Sequence, residues 1–76
     1  MRKITPEELW RIQSFAKIQF GRTFDEDDIE VYDGLRTVIV IRDKEGLHKA
    51  HLDEKRSIRR WEHDGFTIYT FKPPPT

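Results

Sequence analysis

The segment Asp53-Glu54-Lys55-Arg56-Ser57-Ile58-Arg59-Arg60-Trp61-Glu62-His63-Asp64 can fold in two ways, and the architecture follows from the choice. As a strand it would turn through Asp64-Gly65 into the next apolar run, but strict alternation then sets Arg60 and Glu62 on the same face as Ile58. As a helix it sorts more cleanly. Asp53 caps, Glu54 stands in the first turn and Gly65 follows the end. Lys55, Arg56, Arg59 and Arg60 gather on one side while Ile58 and Trp61 face the other. A second helix is therefore the expected state, with a further strand as the other reading.

On both sides of this segment the pattern is that of strands. Residues 66–72 are rich in Thr and aromatics, with Phe66 and Ile68 on one face and Tyr69 and Phe71 on the other. Pro73, Pro74 and Pro75 lack an N–H, end the ladder and open a Pro-rich tail over 73–76. Upstream, residues 47–52 form a strand joined through Asp43-Lys44-Glu45-Gly46 to residues 35–42. The centre of that strand, Val38-Ile39-Val40-Ile41, is apolar on both faces, as a strand covered on two sides would be. Asp33-Gly34 fits a two-residue hairpin turn, and before it Ile29 and Val31 alternate with Glu30 and Tyr32.

Residues 5–21 carry the clearest helical signature. Thr5 is a cap, Pro6 suits the first helical position, Glu8 completes a capping box and Gly21 is a natural stop. Leu9, Ile12, Phe15, Ala16 and Phe20 fall in one core-facing stripe, outside which lie Trp10 and Ile18. The expected fold is thus α+β, an N-terminal helix packed on a small, mainly antiparallel sheet in the order α-β-β-β-α-β. With 76 residues it makes one domain spanning 1–76. A sheet apolar on both faces needs two covers, and a four-turn helix with one short helix supplies only part of the second. Val38, Val40, Tyr69 and Phe71 are left as a patch for the terminal arms, a homodimer or a protein partner to close.

Composition narrows the function. Hydrophobic residues make up 36% of the chain against 37% charged, which suffices for one thin core and leaves nothing for a membrane span. Fourteen Lys and Arg balance fourteen Asp and Glu, so only a local patch can hold a charged partner. The absence of cysteine excludes a disulfide framework, a thiolate zinc site and a cysteine nucleophile, and makes a cytoplasmic location the expectation. The opening residues Met1 to Pro6 carry charge but no apolar stretch, so no secretory signal is expected.

No constellation points to catalysis or to a cofactor. His48 and His51 would face opposite sides of a strand and could not share a metal, and all three histidines are expected at the surface near strand ends. The run Asp25-Glu26-Asp27-Asp28 is not an EF-hand loop, because Glu30 and Arg36 stand where Gly and Glu are required. Ser14 and Ser57 lie in no nucleophile elbow, and the glycines stand singly rather than in a phosphate loop.

What remains is a surface for recognition. The expectation is a small intracellular protein–protein interaction module, an adaptor or a regulator or inhibitor of a larger protein, without catalysis. Asp25, Glu26, Asp27 and Asp28 would steer the encounter, Trp10 and Tyr69 would anchor it, and Arg59 and Arg60 would add a second polar contact. The alternative is a nucleic-acid-binding module using Lys55, Arg56, Arg59, Arg60 and Trp61, four cations and an indole on one short segment. The element order α-β-β-β-α is similar to that of double-stranded RNA-binding domains, from which the additional C-terminal strand and the zero net charge depart.

Overall fold

The computed structural model describes residues 1–72; the Pro-rich tail expected over 73–76 lies outside the described residues. One helix, α1 (Pro6–Phe20), is followed by a 3-10 turn (Glu26–Asp28) and five strands. These are β1 (Ile29–Tyr32), β2 (Val38–Asp43), β3 (Gly46–Leu52), β4 (Ile58–His63) and β5 (Phe66–Thr70). They form one antiparallel meander in the spatial order β1-β2-β3-β4-β5, with α1 against one face. The α+β class stands.

The helix forms where the sequence places it, and its capping box closes in both directions. Thr5 Oγ1 accepts the Glu8 N–H at 3.2 Å, and the Thr5 N–H donates to Glu8 Oε1 at 3.0 Å. Gly21, at φ 70°, adopts the left-handed stop and donates its N–H to the Lys17 carbonyl at 3.1 Å. Ile12 and Ala16 are fully buried against Ile39, Ile41, Ala50 and Trp61, and Leu9, Phe15 and Phe20 border that core.

The segment 53–64 is not a second helix. Asp53 does cap, its Oδ1 accepting the N–H groups of Lys55 and Ser57 at 2.9 Å, but it caps a five-residue loop between β3 and β4. The alternation that argued against a strand is repaired by a β-bulge. Leu52 pairs with Ile58 and His51 with Arg60, leaving Arg59 as the extra residue. One inserted residue moves Arg60 and Glu62 to the far face and keeps Ile58 and Trp61 on the helix side, the same sorting a helix would have given. With the second helix gone, the similarity in element order to double-stranded RNA-binding domains goes too.

Three smaller expectations change for local reasons. A second bulge, between the pairs Trp61 with Tyr69 and Glu62 with Thr67, makes Ile68 the extra residue and turns Phe66 to the helix side with Tyr69 and Phe71. Asp33-Gly34 does not form a two-residue turn. Asp33 is held by Arg2 Nε at 2.6 Å and by the Thr37 hydroxyl at 3.0 Å, so β2 starts only at Val38 and Leu35 stands in solvent. His48 is not a surface residue but is 3% exposed, its Nδ1 accepting the Trp61 indole N–H at 2.9 Å. His51 does face the opposite side.

Two features fix the ends of the sheet. Glu8 is buried and receives Arg2 Nη1 and Nη2 at 2.8 Å each as well as Arg56 Nη2, which ties α1 to the N-terminal segment and to the β3–β4 loop. Arg2 also pairs backbone to backbone with Val31, N to O at 2.9 Å in one direction and 3.0 Å in the other, so the outer edge of β1 is closed by the chain itself. Beyond β5 no strand follows among the described residues.

Candidate interaction surface

β5 is a sheet edge of uncommon composition. Phe66, Ile68 and Phe71 are 76%, 45% and 52% exposed, and no charged residue stands between Asp64 and Lys72. Soluble proteins ordinarily blunt such an edge with lysine, proline or a covering segment, as the N-terminal residues do at β1. The backbone is set for pairing as well. Phe71 donates its N–H to the Arg59 carbonyl at 2.9 Å and Tyr69 pairs with Trp61, so alternation directs the N–H and C=O of Thr70 away from β4.

At the C-terminal end of β5 the edge opens into a groove of about 550 Å³. Ile58, Tyr69 and Phe71 supply its apolar floor, and Arg36, Asp53, Glu54 and Lys55 its charged rim. The Tyr69 ring is held edge-on against Phe15 at 5.1 Å, and Phe15 in turn stacks on Trp61 at 4.6 Å. The aromatic that lines the groove is thereby fixed from behind by the core.

The opposite face of the sheet is covered by no element among the described residues, yet it is not an apolar patch. Val40 is only 6% exposed, and with Val38 it floors a shallow hollow walled by Tyr32, Arg42, Lys49, His51 and Glu62. The charges there serve one another: Glu62 pairs with His51, which holds its carboxyl below the usual range, and Arg60 Nη2 lies 3.3 Å from His51 Nε2. The expected patch of Val38, Val40, Tyr69 and Phe71 is thus divided, two residues on each face.

The structure separates the residues expected to act together. Tyr69 lies in the groove, and Trp10 stands 66% exposed on the outer side of α1. Asp25, Glu26, Asp27 and Asp28 make the 3-10 turn before β1, with Asp25 Oδ1 accepting the Asp27 N–H at 2.9 Å; Asp25 and Asp28 share a hollow with the β2–β3 turn, at the other end of the sheet from the groove. Arg59 is the exposed bulge residue and Arg60 lies on the open face. The basic cluster is dispersed likewise: Lys55 is on the groove rim, Arg56 is bound to Glu8 and Trp61 is fully buried. The pattern of residues 66–72 marks a strand but not its position in the sheet. The uncharged run between Asp64 and Lys72 was the available signal that this strand could take a partner.

Among the described residues no helix is long and apolar enough to cross a membrane, and no three His, Asp or Glu side chains stand together as a metal site. The chain matches no family model, no curated protein and no solved structure.

Proposed function

We propose that this chain is a small protein-interaction module, an adaptor or regulator, that engages its partner by strand addition along β5. One observation carries the reading: among the described residues the chain closes its β1 edge with its own N-terminal residues but leaves β5 open, apolar and uncharged. Strand addition draws affinity from main-chain hydrogen bonds and specificity from pockets for alternate side chains. The Thr70 backbone supplies the first and the groove of Ile58, Tyr69 and Phe71 the second. The nucleic-acid alternative gains no support from the geometry, because Trp61 is in the core and Arg56 is neutralised by Glu8.

The test is a comparison of baits. Wild-type protein and Ile68→Lys are immobilised and challenged with nuclease-treated and untreated host extract. The reading expects a stoichiometric protein that survives nuclease and is lost from the Ile68→Lys bait. Retention of the same protein by both baits, or loss of all bound material on nuclease treatment, would refute it.

A further inference from the structure

We propose that the strand received by β5 is β5 of a second copy of this chain, paired antiparallel across a two-fold axis near Ile68 so that the two sheets become continuous. The proposal rests on the reading of β5 as the interaction edge and adds the identity of the occupant.

The edge is complementary to itself in one direction only. It begins at Asp64, whose side chain is 57% exposed, and ends at Lys72, with an uncharged run between. Two copies paired antiparallel about the Ile68–Tyr69 step bring each Lys72 to the other's Asp64-Gly65 turn, whereas an in-register parallel pairing sets lysine beside lysine. Asp64 is free to take that role. Its Oδ1 accepts the Leu47 N–H at 2.8 Å, and among the described residues its Oδ2 meets only His63 Nε2, at 3.6 Å, leaving an anionic oxygen at the surface.

The apolar residues follow the same symmetry. Phe66 and Phe71 lie on the helix side at opposite ends of the strand, so the two-fold axis carries Phe66 of one copy alongside Phe71 of the other. Both give up exposed ring surface, and no charge has to be desolvated between them. The chain has no net charge, so two copies approach without mutual repulsion. The interface is isologous and closes at two, because the remaining edge of each sheet is occupied by Arg2.

The first test is sedimentation equilibrium from about 5 to about 500 micromolar, a range suited to a contact at the small end of specific interfaces. A doubling of mass with concentration is expected. Ile68→Lys and Thr70→Pro should remain monomeric over the same range while keeping the wild-type circular dichroism. The Pro variant guards against misfolding by the Lys variant, since the Thr70 N–H does not serve the sheet of its own copy. Pairing direction is read by cross-linking, because the chain contains no cysteine of its own. A mixture of Asp64→Cys and Lys72→Cys proteins should form the mixed disulfide faster than either forms its own.

A wild-type chain that is monomeric throughout would overturn self-pairing while leaving intact any capture of another protein through β5. A dimer that survives both edge variants, or one whose like-with-like disulfides form faster than the mixed one, would overturn it as well. If the edge variants change neither self-association nor capture, the broader reading fails with it.

Discussion

The Glu8 carboxylate, 4% exposed, is approached by Arg2 and Arg56 and by the Thr5 N–H, so one acid joins the N-terminal segment, the helix cap and the β3–β4 loop. The hydrogen bonds from Arg2 lower its pKa from 4.5 to about 2. The unfolded chain therefore takes up this proton first as pH falls, and the stabilisation, complete above pH 4.5, is lost as pH drops toward 2. Glu8→Gln should cost about 3 kcal/mol at neutral pH and flatten the acid limb of a melting-temperature profile. His48 behaves in the opposite sense of charge. Burial, with His63 stacked at 4.1 Å, pushes its pKa below the ordinary 6.5. Protonation at Nδ1 would place a hydrogen where the Trp61 indole N–H already points. Stability should fall as pH is lowered through the region below 6.5, and His48→Phe should remove that slope between pH 7 and pH 5, read by thermal melting at each pH.

Gly46 shows how closely the hairpins meet. At φ 123° it occupies a backbone conformation open to glycine, and a Cβ there would lie 2.5 Å from the Asp64 carboxylate of the next turn. Gly46→Ala should therefore lower stability by about 1–3 kcal/mol in denaturant melts. A positive φ at Gly46, like the Thr5 cap and the stripe along α1, was legible in the sequence because it depends on neighbours a few residues away. The loop expected over Asp43-Lys44-Glu45-Gly46 is instead a two-residue turn, Lys44-Glu45, with Asp43 paired to a Gly46 that lies outside the αL region. Asp64-Gly65, at φ 50° and φ 86°, is the tight turn that the strand reading of 53–64 required. The strand itself was not legible, for a physical reason: a single bulge residue, Arg59, resets the face of everything after it, and its place is fixed by pairing with β3 rather than by local sequence. The second bulge, at Ile68, hid the true face of Phe66 in the same way. Nor could the edge be read, since which strand lies outermost is settled by the order of the whole sheet. The closing of β1 depends on a contact between Arg2 and Val31 that no periodicity announces. Tyr69 and Trp10 were found as aromatics outside the core's needs. Only the fold could show that one borders the groove and the other stands alone on α1.

Taken as a whole, the molecule is a sheet with two edges treated differently, and that difference predicts what happens when the closed one is opened. Deleting residues 1–3 removes the backbone pairing of Arg2 with Val31 and frees the outer edge of β1. If β5 pairs with β5, and β1 is now free to pair with β1, two isologous contacts alternate and nothing terminates the series of copies. The shortened chain should accordingly show species heavier than a dimer by sedimentation velocity, increasing with concentration. Loss of the Arg2 ion pairs with Glu8 and Asp33 would also lower its melting temperature, so instability alone must be separated from edge exposure. Arg2→Ala makes the separation. It keeps the main-chain pairing with Val31 while losing both ion pairs, and should melt earlier yet assemble no further than wild type. Polymerisation by Arg2→Ala to the same extent as by the deletion would mean that loss of stability is the cause, and that the N-terminal residues do not guard the edge.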